Sequence, residues 1–445
     1  MKAALVRLAD QLRQSYWFIP TVMTLAAVLL AGGMVWLDGQ DGSGWMDRFA
    51  WLHASRPSGA RQLLSAIGGS MITVAGTVFS VTIAAVVYAS GEYGPRLLSN
   101  FMRDRGNQIT LGTFIATFLY CIIVLRTVRS PEESGAAAFV PNLAVLVALL
   151  LAVCSVGVLI FFIHHVPQRI HINSVIEDIG RRLLHEVDRR FPSVIGTADP
   201  DAVEAEASDR LEPDGSPRAV GARGTGYIQL IDEDLLMRAA TDSDLVCRIR
   251  YRPGDFVHEG RTLLELWPAE RCDDACIGQL QGAFALGAQR TALQDLRFLI
   301  DELVEIADRA LSPGINDPFT AVTCMDWLGA ALSDLCRRKL PEPLRRDEGG
   351  AVRVIAQPLD FEALLERSFG ALLQHAGTST IAAIHYLHTL GEIAADCDNA
   401  DRRALLAQWV ERMARRAGDA LADHDARRVS DMAAAVRRSL VNDDE

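Results

Sequence analysis

Four long apolar runs, residues 18–37, 66–89, 109–125 and 143–163, constrain this chain more than any motif in it. None contains Asp, Glu, Lys or Arg. Each has roughly the 17–25 apolar residues that an α-helix needs to cross a bilayer core. Lipid offers no partner to an unpaired backbone group, so the runs are predicted as transmembrane helices. Basic residues Lys2, Arg7 and Arg13 precede the first run, as in a secretory signal. That run is long for a signal core, however, and "AGGMVWLDGQ" carries no convincing cleavage site, so it reads as a retained anchor.

The remainder has the composition of a soluble chain. The predicted fold is therefore integral membrane α-helical, with four transmembrane helices, followed by a small β barrel-sandwich-like module and an all-α cytoplasmic domain. Its divisions are a four-span domain at 1–165, an amphipathic connecting helix at 166–191, an acidic linker, disordered by composition, at 192–222, the β module at 223–270 and the helical domain at 271–445.

Loop charges set the orientation. Lys2, Arg7 and Arg13 lie before the first run; Arg96, Arg103 and Arg105 lie between the second and third. Arg169, Arg181, Arg182, Arg189 and Arg190 follow the fourth. The opposite side has fewer bases relative to acids, with Asp38, Asp41 and Asp47 among them. The positive-inside rule then predicts a multipass protein of the bacterial inner membrane with both termini cytoplasmic. The lipid bilayer is its first partner. The formal net charge of −12 argues against nucleic acid.

"GEYGPRLLSNFMRDRGNQ" joins the second and third runs. Leu97, Leu98, Phe101 and Met102 suit the headgroup boundary, while Arg96, Arg103 and Arg105 suit lipid phosphates and Asp104 a neighbouring arginine. This interfacial elbow (Arg96, Arg103, Asp104, Arg105) fixes a hairpin; a cytoplasmic gate is the sharper alternative. Hydroxyls recur at helical spacing on both sides of it. Ser70, Thr73, Thr77 and Ser80 share one face of the second run, and Thr110, Thr113, Thr117 and Tyr120 one face of the third. With Gly69, Gly76, Gly112, Ala75 and Ala116, such faces serve either close helix packing or a wetted pore in a homo-oligomer. In the first outer loop, Trp45, Phe49 and Trp51 suit an aromatic interfacial belt.

Past the linker, strand-like runs appear at residues 226–231, 245–251 and 262–267, with a helix between the first two. Residues 253–266, "PGDFVHEGRTLLEL", resemble half of a biotinyl/lipoyl barrel-sandwich motif. Carrier function is excluded, because no lysine stands between Lys2 and Lys339 to take the cofactor. The eight cysteines form no disulfide framework, and Cys272-x-x-x-Cys276 lacks a second ligand pair, so neither metal nor cofactor is expected. In "ALSPGINDPFTAV", Pro313-Gly314 ends one helix, Asp317 caps the next and Pro318 suits its first position. Asp295, Asp308, Asn316 and Asp317 form a candidate cytoplasmic pocket. The chain has no P-loop, HExxH, nucleophile elbow or dinucleotide fingerprint, which argues against an enzyme.

Several segments together resemble one family: residues 70–120, "GYIQLIDEDLL", "RPGDFVHEG" and "ALSPGINDPFTAV". They are similar to the bacterial multipass membrane proteins grouped as domain of unknown function 2254. The resemblance implies a membrane protein with a soluble C-terminal half and supplies no activity. Two functions remain from the residues. One is a homo-oligomeric channel or transport pathway regulated by the cytoplasmic half; the other is a membrane-anchored sensor or scaffold binding a cytoplasmic ligand or partner.

Overall fold

The computed structural model describes residues 16–40, 56–93, 104–130, 139–191 and 215–442. The chain divides into two compact units, Ala9–His171 and Ile172–Glu445. The first holds four helices: α1 (Phe18–Gly39), α2 (Pro57–Tyr93), α3 (Arg105–Thr127) and α4 (Asn142–Ile170). All four are long and apolar enough to cross a membrane, the spanning portions of α2 and α4 being Pro57–Tyr88 and Asn142–His165. Large side chains such as Leu29, Val153, Ile160 and Ile163 stand exposed on their outer faces, which suits hydrocarbon and not water.

The helix α3 is the hub. It packs against α1, α2 and α4, and half of its apolar window is buried, against 17% for α1 and α4. Small residues make this approach possible: a Cβ on Gly112 would come within 2.6 Å of Met23 Sδ. Polar groups near the ends lock the bundle. The Asp38 carboxylate at the end of α1 accepts from Leu143 N at 3.1 Å and Ala144 N at 3.0 Å, capping α4 from a neighbouring helix. Arg61 Nη2 donates to Val128 O at 2.9 Å.

The second unit opens with amphipathic α5 (Ile172–Arg190), which buries Ile176, Ile179, Gly180, Leu183 and Val187 along one stripe. A mixed region follows: β1 (Arg218–Gly221), β2 (Gly226–Ile231), α6 (Glu233–Asp242), β3 (Val246–Ile249), β4 (Phe256–Val257), β5 (Thr262–Trp267), α7 (Asp274–Gly282) and β6 (Phe284–Gly287). Then come α8 (Leu296–Ala310), α9 (Pro318–Cys336), β7 (Leu344–Arg346) and β8 (Val352–Ile355). The C-terminal region is α10 (Phe361–Leu365), a π-helical turn (Glu366–Gly370), α11 (Ala371–Ala376), α12 (Thr380–Ala395), α13 (Ala400–Ala420) and α14 (Asp423–Asn442). Helix α9 lies at its centre, against α5, α8 and α12.

The strands make two sheets, one in the order β1-β5-β3-β8-β7 and one in the order β4-β2-β6. Three details depart from the sequence reading. Arg218–Gly221, inside the stretch read as linker, is a strand paired antiparallel with β5. Strands β6, β7 and β8 fall within the stretch read as helical, and β8 lies parallel to β3, with Cys247 opposite Val354. The amphipathic run "RTALQDLRFLIDELVEIADRALS" predicts a helix from Arg290, whereas α8 starts at Leu296. These strands have three or four residues each, too few to show a period of two. The 253–266 stretch turns at Gly254 and Gly260, with φ of 91° and 79°, and Val257 is buried between them.

Candidate functional site

The two hydroxyl faces meet different fates. On α3, Thr110, Thr117 and Tyr120 are buried and Thr113 is half-buried. Thr117 Oγ1 lies 3.1 Å from Ser155 Oγ on α4, and Tyr120 donates its hydroxyl proton to Ala144 O at 3.0 Å. Thr110 and Thr113 bond backward to Gly106 O and Ile109 O in their own helix. Within this unit, then, Thr117 and Tyr120 of this face reach α4. On α2, Ser70, Thr73, Thr77 and Ser80 are all exposed. Thr73, Thr77 and Ser80 donate to Gly69 O, Thr73 O and Gly76 O of the same helix. A Cβ on Gly69 or Gly76 would meet nothing within 4 Å, so these glycines seat no neighbour within the unit. The packing face of α2 instead carries Ala75 and Val78, which meet Phe114 and Phe162.

Arg96 and Arg103 of the elbow lie outside the described residues, as do Leu97, Leu98, Phe101 and Met102, and the aromatic belt at Trp45, Phe49 and Trp51. Arg105 opens α3 and is exposed. Asp104 caps that helix, accepting from Gly106 N at 2.7 Å, and its second oxygen lies 2.8 Å from His165 Nε2 on α4. Spacing in the sequence did not show this histidine partner, since the two residues are far apart in the chain.

Within the second unit, the four residues of the candidate acidic pocket take separate partners. Asp295 is 2% exposed and held by Arg290 and Arg297. A Cβ on Gly254 would overlap its Oδ2, so glycine is needed there for space as well as for φ. Arg290 also reaches Asp301 at 2.5 Å, and Arg367 bonds the same carboxylate. Burial pushes Asp301 upward, but the hydrogen bonds from Arg367 and Arg290 outweigh it and leave the carboxyl below its ordinary value. Asp308 pairs with His375 at 3.0 Å. Asp317 caps α9 through Thr320 N at 3.2 Å, and Asn316 before it takes φ of 50°. Cys272 and Cys276 are buried in the core of the mixed region. Among the described residues no group of three or more His, Cys, Asp or Glu is placed to hold a metal ion.

A different set of residues builds a cleft in this unit, about 470 Å³ in volume. That is within the range of sites for small molecules. Its walls come from the end of α5, the ends of β2 and β3, the turn at 251–253, β7 and the segment after β8. Phe191, Ile249, Tyr251, Leu296 and Leu359 supply apolar surface, and Arg189, Arg190, Arg252 and Arg345 supply charge. Arg190 is anchored by Glu186 at 2.7 Å and by Leu293 O at 2.9 Å. Arg252 donates to Gln357 O at 2.8 Å and Pro358 O at 2.9 Å. Both guanidiniums therefore tie distant segments together at the rim.

Arg345 is different. It is 3% exposed, and its Nη1 donates only to Leu344 O at 3.1 Å. Its Nε has no partner, and among the described residues no carboxylate lies within the 4.0 Å of an ion pair. Burial pulls the guanidinium down to about 10, with Glu233 and Glu342 near enough to oppose the shift but not to bond. A buried charge without a counterion is costly, and such groups in clefts mark functional sites. Nothing in the sequence gathers these four arginines into a group. They come from separate segments, and the only local signal was the Arg189-Arg190 and Arg345-Arg346 pairing.

Together these features define an integral membrane protein with four candidate spans, a mixed α/β region and a helical C-terminal region. The chain belongs to the family described as predicted membrane protein, domain of unknown function 2254, whose model matches residues 13–392. Every residue of the cleft falls inside that match. An uncharacterized protein of Mycobacterium bovis is 30% identical over 431 residues, covering 94% of this chain and 79% of the relative. Uncharacterized proteins of two Mycobacterium tuberculosis strains match at the same identity and coverage. No solved structure matches.

Proposed function

We infer that the protein is a membrane-anchored sensor, whose C-terminal unit binds a small molecule in the arginine cleft without transforming it. The observation that carries this reading is the cleft itself, with the buried Arg345 in its wall, which makes no ion pair within 4.0 Å among the described residues. The packed α3 face supports it, because a hydroxyl row committed to Ser155 and Ala144 is not a conduit lining. Loop arginines favour a bacterial inner-membrane location with both termini and the C-terminal unit in the cytoplasm. In this reading Pro253, at the start of the barrel-sandwich-like 253–266 stretch, lines the binding cleft. The test is hydrogen exchange on the full chain in lipid nanodiscs, with and without fractionated cytosolic small molecules. Protection at residues 249–252 and 356–359 is expected; no fraction protecting either segment would sink the receptor reading.

A second reading rests on the outward face of α2. Ser70, Thr73, Thr77 and Ser80, with Gly69 and Gly76, offer a second copy a smooth polar ridge of the kind that joins helices in lipid. A homo-oligomeric channel would use this face for its wetted axis. Single-channel recording in planar bilayers tests it: a conductance altered by Thr77→Leu supports the channel, and silent bilayers containing cross-linkable oligomers remove it.

A further inference from the structure

We propose that the cleft takes a small organic anion, its carboxylate or phosphate group paired with Arg345 and its apolar body laid on Phe191, Ile249, Tyr251 and Leu359. The proposal deepens the sensor reading and rests on it. Three observations lead to it. First, Arg345 sits in the wall with a free Nε and no carboxylate within ion-pair distance among the described residues, while a guanidinium fork is suited to bidentate oxyanions. Second, Arg189, Arg190 and Arg252 in the wall have the same sign, against one acid in the lining, Glu233; Glu186, behind the wall, pairs with Arg189 and Arg190 and leaves Arg252 and Arg345 without an ion pair among the described residues. A cationic or neutral polar ligand would meet repulsion or leave Arg345 uncompensated. Third, apart from Gln294 and Gln357 the remaining wall is aromatic and aliphatic, so a bare inorganic ion would leave most of the volume to water. The Tyr251 hydroxyl is already engaged by Arg261 Nε at 2.7 Å, which leaves the ring face for stacking.

The physical logic is an exchange. In the unliganded fold Glu233 and Glu342 oppose the burial of Arg345 without bonding to it, and the ligand supplies a bonded counterion. Affinity then comes from removing a standing penalty as much as from new contacts. It follows that Arg345 destabilises the unliganded protein and stabilises the liganded one, an opposition that a structural arginine would not show.

The experiment uses the full chain in nanodiscs, in a buffer free of phosphate and carboxylate. Thermal unfolding and titration calorimetry are run with octanoate, adenosine 5′-monophosphate, glycerol 3-phosphate, short-chain phosphatidic acid and inorganic phosphate, and with octanamide and adenosine as uncharged counterparts. At least one organic anion is expected to raise the unfolding temperature while its uncharged counterpart does not. Phosphatidic acid against glycerol 3-phosphate separates a lipid source from a soluble one. Arg345→Met is expected to weaken that binding by about tenfold or more, the loss of a charge-assisted pair. Its own unfolding temperature without ligand is expected to equal or exceed the parent's. Glu342→Gln is expected to keep the binding. Uncharged counterparts binding as well as the anions, or Arg345→Met binding undiminished, overturns the anion proposal and leaves the receptor reading in place. A panel with no binding at all overturns the proposal as well, and exchange protection by cytosolic fractions then decides the broader reading separately.

Discussion

Replacing Thr117 by leucine asks whether the α3 hydroxyl face is packed or wet. Thr117 is 1% exposed, and its Oγ1 lies 3.1 Å from Ser155 Oγ. Ser155 donates its own proton to Leu151 O at 2.7 Å, so Thr117 is the donor of the pair. Removing that donor leaves no orphan proton behind and costs about 0.6 kcal/mol, the average for such bonds between membrane helices. Leucine must also fit a site already closed on every side, and overpacking adds about 1–3 kcal/mol. The sum, roughly 1.6–3.6 kcal/mol, exceeds a tenfold change in the folding equilibrium. Thr117→Val keeps the shape and isolates the bond, at about 0.6 kcal/mol. Thr77→Leu, on an exposed site whose hydroxyl bonds its own helix, stays within about 0.5 kcal/mol. The assay is equilibrium unfolding of the full chain in mixed lipid–SDS micelles, read by far-ultraviolet circular dichroism. Thr117→Leu unfolding at the parent's midpoint would refute the packed assignment.

Three further outcomes are expected. Gly180→Ala gains about 1 kcal/mol of helix propensity but drives a Cβ into the Trp327 indole, so net destabilisation of about 1–2 kcal/mol is expected, whereas Gly418→Ala, with nothing within 4 Å, gains stability; thermal melts of both variants should move in opposite directions. Asp38→Ala strips the cap from α4 and lowers stability in micelles by about 1 kcal/mol, and Asp38→Glu restoring the parent's midpoint would show that charge rather than the short reach matters. Asp301, lowered by Arg367 and Arg290, contributes stability that is fully present above its ordinary value of 3.8 and is lost as pH falls below it. Melting temperature against pH should therefore drop more gently at the acid end for Asp301→Asn than for the parent, and identical slopes would count against the pairing.

The membrane half was legible because lipid imposes one rule on each span independently. A run of apolar residues must be a helix there, whatever its neighbours, and helices α1 to α4 contain the four predicted runs. The turns at Gly254 and Gly260 and the cap at Asp317 were legible for a similar reason, since glycine and aspartate act within a few residues of themselves. Short strands were not. Arg218–Gly221 and Val352–Ile355 are strands because β5 and β3 offer them backbone partners, and nothing in four residues announces that.

By itself, then, the order of residues determined four helices long and apolar enough to cross a bilayer and a larger, more polar C-terminal part, because hydrophobic length and helix signals are local quantities. Two hydroxyl rows looked alike at that level. Only the tertiary structure separated them, placing the α3 row at the hub of the bundle and the α2 row on its outside, because burial depends on which helices surround a face. The same holds for the cleft. Arg190, Arg252 and Arg345 become one site only when α5, the turn after β3 and β7 are folded against each other, and Arg345 acquires its meaning from the counterion that folding withholds.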